Sequence, residues 1–523
     1  MGAGIGPPRR VLPVGEMPRH GAQRVPGGDR WWHEAVVYQV YPRSFQDTDG
    51  DGEGDLRGIV QRLGHIRDLG ADAVWLSPVY PSPMADGGYD VAGYEDIDPR
   101  FGTLADADAL IVAAHDRGLR LLMDVVPCHT SIEHPWFRDH PERYVWAEGD
   151  GPPNNWIASF GGAAWTRDDR SGRWYLHSFY PEQPDLDWRR ADVRDAVANA
   201  LRFWRARGVD GFRLDAIDRL LKDPQMRDDP PAGAPPLLPE HGDAGTLDHV
   251  MSRNAPDIGL ALAALREAVD DDTLLVGEVY LPAAQLAPYL EHLDCAFVFE
   301  LLHAPWEATA FRDAIGAALD PAGAAGRVAW VLSNHDFPRL PDRYGARNAR
   351  AAALLALTLP GAVFVYQGDE LGMADGPGGI DGPIDRAGRD AHRHPMRWDD
   401  DAPHGGFTNA DARPWLHAIE VDGGGVAQQA ADPDSVLSLY RDLIAARPAL
   451  RDGLKFLDDA ADGVLAFRRG DDHVVALNMG DAPAPAPPAG TIVRATHGTR
   501  HRAGGPAPAE LAPGEGFVAG SAS

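Results

Sequence analysis

The sequence predicts an α/β protein: a closed (β/α)8, or TIM, barrel with an inserted lobe after its third strand and a C-terminal antiparallel β-sandwich domain. Three observations predict it. Eight short strand-like runs alternate for the most part with helical stretches, more than an open doubly wound sheet usually carries. Residues 128–188, rich in Trp, Pro, Asn and Gly, separate the third run from the fourth and are too long for an ordinary barrel loop. After residue 431 short strands between turns take over. The expected domains are a disordered leader over 1–30, the barrel over 31–127 and 189–430, the lobe over 128–188 and the β domain over 431–523.

Residues 35–40 read as the first buried strand, and Leu56, Ile59, Leu63 and Ile66 then recur at helical spacing. Residues 73–76 form the second run, followed by a long loop and a helix over 104–117. The third, 121–126, is almost wholly apolar, as a strand covered on both faces should be. Val193, Val197, Leu201 and Trp204 mark the helix before the fourth run, 209–215. Runs at 274–278, 296–299, 328–332 and 362–366 complete the eight. The Pro- and Asp-rich stretch 222–246 is expected to be a mobile loop. A helix over 435–447 leads into short strands at 464–468 and 474–477, then an Ala/Pro-rich stretch at 483–488.

A net charge of −29, from 49 basic and 78 acidic residues, argues against nucleic acid and anionic membranes as partners and suits a neutral substrate or a bound cation. Cys128 and Cys295 are the only cysteines, which excludes a disulfide framework. No apolar run reaches the ~18 residues of a membrane span, and the first 30 residues lack the apolar core of a signal peptide. A cytoplasmic monomer or homodimer is the expectation.

Polar residues at strand C-termini point to the active face of such a barrel. The third run leads to Asp124 and His129, the fourth to Arg213 and Asp215, the fifth to Glu278 and the seventh to Asn334, His335 and Asp336, while the loop after the second carries Tyr89 and Asp90. Residues two apart on a strand share a face, so Arg213 keeps Asp215 oriented and ionised, as a nucleophile requires. Two carboxylates facing one bond, with a third beside them, are the equipment for glycoside hydrolysis. One attacks, and the other is protonated to release the leaving oxygen, a state that neighbouring carboxylates favour.

The segments Asp124-Val125-Val126-Pro127-Cys128-His129, Gly211-Phe212-Arg213-Leu214-Asp215, Gly277-Glu278 and Ser333-Asn334-His335-Asp336, in that order, carry a resemblance. Gln183-Pro184-Asp185-Leu186-Asp187-Trp188 adds to it near the end of the insertion. From about Trp31 to Trp398 the chain resembles glycoside hydrolase family 13, the α-amylase superfamily, in its oligo-1,6-glucosidase-like α-glucosidase branch. The resemblance implies Asp215 as nucleophile, Glu278 as general acid/base and Asp336 as the carboxylate that binds sugar hydroxyls and holds the ring distorted. It implies that Arg213 orients Asp215, that His129 and His335 bond sugar hydroxyls, and that Tyr89 stacks on the ring. Asp90 is expected to bind the far hydroxyls with Arg389, or second Arg393, as its cationic partner, closing the pocket so that only a chain end fits. Phe160 and Phe179 of the insertion are expected in the pocket wall.

The implied activity is that of a retaining exo-acting α-glucosidase on short oligosaccharides or α-glucosides, with a transglucosidase or trehalose-synthase-like isomerase on the same site as the alternative. Ala216, after the nucleophile, leans the linkage toward α-1,4, since Val there goes with α-1,6 cleavage in this branch. Asn is usual where Cys128 stands and helps bind calcium in amylases, so that calcium site is expected to be absent; Asn is also usual where Asp187 stands. Carboxylates alternating with glycines over Asp47–Asp55 can wrap a hard cation, and Gly58 in place of the final Glu excludes an EF-hand. By resemblance this loop binds a structural Ca2+ through the side chains of Asp47, Asp49, Asp51 and Asp55 and the carbonyl of Glu53. No organic cofactor is expected.

Overall fold

The computed structural model describes residues 30–234, 238–320, 327–450 and 453–521; apart from Arg30, the leader expected over 1–30 lies outside the described residues. Eight parallel strands close a barrel: β1 (Val36–Val40), β2 (Ala73–Leu76), β3 (Arg120–Val125), β4 (Gly211–Leu214), β5 (Leu274–Gly277), β6 (Cys295–Val298), β7 (Val328–Val331) and β8 (Ala362–Tyr366). Each pairs with its neighbour in sequence, and β1 closes on β8 with Val36 opposite Val363. Nearly every strand residue is buried. Inward-pointing side chains such as Val37, Trp75, Leu122, Val276, Phe297, Val331 and Phe364 fill the interior, so the barrel is a packed core and not a pore.

Helices wrap the outside with apolar faces inward. Helix Leu56–Leu69 buries Leu56, Ile59, Leu63, Ile66 and Leu69. Its first turn is capped by Asp55, which accepts from the Gly58 N–H at 2.8 Å, and it stops at Gly70, whose φ of 96° suits glycine. Helix Ala191–Arg207 buries Val193, Val197, Leu201 and Trp204 and delivers the chain into β4, so Asp215 stands just past the strand's end.

The inserted segment carries a three-stranded antiparallel sheet, Trp146–Ala147, Trp174–Leu176 and Trp165–Arg167, over a small core that includes Trp156, Trp165 and Leu176. In the C-terminal region a five-stranded antiparallel sheet uses alternation on both faces. Leu465, Phe467, Val475, Leu477 and Val518 join the main core, whereas Val464, Ala466, Val474, Ala476 and Phe517 meet a two-stranded ribbon through Ala484 and Leu511. Of the stretch 222–246, expected to be mobile, residues 235–237 lie outside the described residues; in the rest, Pro231 bridges Leu247, and Asp229 accepts from the N–H groups of Met251 and Ser252 at 2.6 and 3.3 Å.

Candidate active site

Arg213, on β4, is 1% exposed and sits under the barrel mouth. Its Nη1 donates to Asp215 Oδ1 at 2.5 Å and to Asp124 at 2.9 and 3.1 Å, and its Nη2 donates to Glu278 Oε2 at 2.6 Å. Three strand ends, β3, β4 and β5, thus place three carboxyls on one guanidinium. The same Glu278 oxygen accepts from the Ala216 N–H at 3.2 Å, which the left-handed backbone of Ala216 (φ 46°) turns toward it. Asp124 also accepts from Tyr89 Oη at 3.0 Å and Trp75 Nε1 at 3.3 Å.

Burial pushes the Asp215 carboxyl well up; Arg213 opposes this, and Glu278 and Asp124 add to the rise. Asp124 is pushed up to about 7, by burial first, against the pull of Arg213. The one guanidinium is shared, so it does not offset the burial of both Asp124 and Asp215, and these two carboxyls are held toward the protonated form.

Asp336 is held differently. Burial would raise it, but His335, Arg389 and Arg393 outweigh burial and keep it well below the usual carboxylate range. Arg389 Nη1 and Arg393 Nη2 each donate to its Oδ1 at 3.0 Å. His335 is buried and its pKa is driven well down by that burial. Its Nδ1 lies 2.8 Å from the Gln39 amide nitrogen, a donor, so the proton sits on Nε2, 3.3 Å from Asp336 Oδ2. His129 Nε2 meets both the Gln183 amide nitrogen at 2.9 Å and the Tyr89 carbonyl oxygen at 3.2 Å, while its buried Nδ1 has no hydrogen-bond partner among the described residues.

The expected pairing of Asp90 with Arg389 or Arg393 is wrong. Asp90 is fully buried and spends its oxygens on the turn around it, accepting from Ser82 Oγ at 2.9 Å and the N–H groups of Ala85 and Asp86 at 2.8 and 3.0 Å. Asp86 pairs with Arg389 instead and accepts from Gln183 Nε2 at 2.9 Å. Gly87 and Gly88, both at positive φ, fold the chain back between the two aspartates and send Asp86 into the pocket and Asp90 into the core. Asp385 completes the closed end, accepting from Arg389 Nη2 at 2.6 Å.

A pocket of about 120 Å³ gathers Tyr89, His129, Phe160, Phe179, Asp215, Glu278, Asp336 and Arg389 with Asp86. Arg213, His335 and Arg393 lie behind its wall and contact the lining carboxylates. Tyr89 has one face against His335, ring centroids 5.2 Å apart and nearly parallel. The mouth uses residues that sequence reasoning missed: Asp218, Arg219, Pro239, Glu240, His241, Tyr280 and Phe337. Glu240 is fixed by Arg253 at 2.6 Å and Pro239 by Tyr280 Oη at 2.8 Å. No local pattern marks such a loop; the Tyr at Glu278+2 was the one available signal.

In the acidic loop, ligand oxygens of Asp47, Asp49 and Asp55 lie within 4.8 Å of one another, a spacing that fits a hard cation. Asp51 is exposed and outside this trio; its Oδ1 accepts from the Glu53 N–H at 2.8 Å. The Glu53 side chain turns away to Arg43 at 2.5 Å. Beside Cys128, Asp185 is paired with the buried ammonium of Lys222, a cation that the chain itself supplies.

The family model for the catalytic domain of α-amylase matches residues 39–453. A probable α-glucosidase of Rhizobium meliloti (strain 1021) is 40% identical over 505 residues, covering 87% of this chain and 90% of that protein. An oligo-1,6-glucosidase of Halalkalibacterium halodurans is 36% identical, covering 80% and 83%. The crystal structure of an α-glucosyl transfer enzyme superposes with a TM-score of 0.85 at 36% identity, covering 95% of this chain and all of that one. Among the described residues no helix is long and apolar enough to cross a membrane. With its closed eight-stranded barrel, its carboxylates at the strand ends and these relatives, the chain belongs to the α-amylase family of glycoside hydrolases.

Proposed function

We propose that the protein is a retaining exo-α-glucosidase that removes terminal α-linked glucose, preferentially α-1,4-linked, from short oligosaccharides or α-glucosides. The observation that carries this reading is Arg213 bonding Asp215 and Glu278 through its two terminal nitrogens at the base of a pocket whose far end is shut by Asp86 and Arg389. Carboxyls bonded to the two terminal nitrogens of one guanidinium lie near one another, which favours the short spacing of double displacement, about 5–5.5 Å, over the wider spacing of an inverting site.

Asp215 attacks the anomeric carbon while Glu278 gives its proton to the departing glycosidic oxygen. Water, deprotonated by the now ionised Glu278, then resolves the glucosyl ester with a second inversion. Asp336, kept ionised by its arginines, accepts from sugar hydroxyls, and the unpartnered Nδ1 of His129 bonds one. The Asp86–Arg389 pair blocks a chain that continues past the terminal glucose. A cation at Asp47, Asp49 and Asp55 would neutralise and stiffen that loop and takes no part in the chemistry.

The test is a panel of maltose, isomaltose, sucrose, trehalose and maltotriose with products and first-formed anomer read by NMR. Glucose from maltose, abolished in Asp215→Asn with normal melting, is expected, as is α-glucose as the first anomer from methyl α-glucoside, whose departing group is not a sugar; β-glucose first from that substrate would overturn retention. The likeness to an α-glucosyl transfer enzyme favours a second reading, in which a sugar or alcohol replaces water. New glucosides formed from maltose in place of free glucose would favour it.

A further inference from the structure

Two arginines of the loop after β8 sandwich two aromatic rings of the inserted lobe. Arg389 lies over Phe160 at 5.2 Å, Phe160 stacks on Tyr180 with centroids 4.5 Å apart and planes 22° apart, and Arg386 lies over Tyr180 at 4.9 Å. On the outside, Arg386 forms a two-pronged pair with Glu182, Nη1 to Oε2 at 3.0 Å and Nη2 to Oε1 at 2.8 Å. The inner end of this stack is the guanidinium that holds Asp336 and Asp86. The outer end stands in solvent, with Arg386 50% and Glu182 37% exposed.

We propose that Arg386, Glu182 and Tyr180 form a salt-sensitive clasp between the lobe and the loop after β8, and that this clasp sets sugar affinity by holding Arg389 at the blind end of the pocket. Arg386 and Glu182 are positioning residues; neither lines the pocket. The lobe and the loop after β8 meet here across the pocket rim, so loosening the outer pair slackens the packing of Phe160 on its arginine. The contacts are individually weak and the ionic pair is open to screening, which makes the clasp adjustable by ionic strength. The inner pairs of Arg389 are buried and are screened much less.

The proposal rests on the glucosidase reading, and the experiment separates the two. KM and kcat for maltose are measured in wild type, Arg386→Ala, Glu182→Gln and the exchange Arg386→Glu/Glu182→Arg, at low and high NaCl, with melting temperatures. KM should rise about 2- to 5-fold in each single variant with kcat essentially unchanged, melting should be unchanged, and the exchange should recover most of the affinity. Wild-type KM should climb with salt, and the single variants should lose that dependence. Unchanged KM in both single variants, loss of kcat at constant KM, or a salt dependence that survives in Glu182→Gln would overturn the clasp. Wild type inactive on every α-glucoside would overturn the glucosidase reading instead.

Discussion

Ala216 shows how one backbone angle carries chemistry. Its positive φ aims its N–H at Glu278 while its methyl group faces the pocket. Left-handed backbone costs a residue with Cβ on the order of 1–2 kcal/mol, more when the side chain is β-branched. Ala216→Val is therefore expected to melt lower by roughly 1 kcal/mol of stability and to raise the isomaltose/maltose ratio of kcat/KM; an unchanged ratio would remove this position from the linkage argument. Asp369 offers a pH test. It is buried behind the Ser333–Asp336 turn, accepting from Ser333 Oγ at 2.5 Å, and burial raises its pKa from 3.8 to about 6. The folded state therefore holds this proton more tightly than the unfolded chain, and wild type loses stability as pH climbs from about 4 to about 6. In Asp369→Asn that contribution vanishes. The variant's unfolding free energy relative to wild type, read from denaturant melts, should increase across this window, by up to about 3 kcal/mol at roughly 1.4 kcal/mol per unit. A difference that is flat with pH would show that Asp369 is not the titrating group.

Among the elements, the loop Asp47–Asp55 couples a candidate ion site to the first barrel helix, because Asp55 both caps helix Leu56–Leu69 and belongs to the acidic trio. Chelation should lower the melting temperature by several degrees, Ca2+ should restore it, and Asp47→Asn should abolish both responses; a chelator-insensitive wild type would leave the trio as a capping turn alone. The strands were the legible part of the sequence. Parallel barrel strands are buried on both faces, so they appear as apolar runs, and β2 and β8 match the expected spans to the residue. Asp215 and Glu278 were legible for a related reason: a polar residue directly after such a run has few places to point, and Asp336 follows in the short turn beyond Val331. Asp86 was not, because choosing it over Asp90 depends on how Gly87 and Gly88 turn the chain. Glu240 and His241 were invisible, since they reach the mouth through a long loop tied down by Arg253 and Tyr280.

At the scale of the whole molecule, two arginines fasten the C-terminal region to the barrel. Arg447 donates to the carbonyls of Leu357, Leu359 and Gly361 at 2.7, 3.3 and 2.7 Å, and Arg469 donates to those of Thr358 and Leu450. They satisfy the last carbonyls of helix Ala346–Thr358 at its negative end. Arg469→Met should cost about 2–4 kcal/mol, seen as a lower melting temperature, because buried carbonyls lose their donor; an unchanged melting temperature would show that water replaces the guanidinium. The pairing of Val36 with Val363 has a consequence in time. During synthesis, β1 waits for its second neighbour until β8 leaves the ribosome, on the order of tens of seconds at roughly 5–20 residues per second. Throughout that interval the growing sheet presents two apolar edges open to other chains, so the yield of soluble protein should depend on translation rate and chaperone supply more than on the stability of the finished barrel.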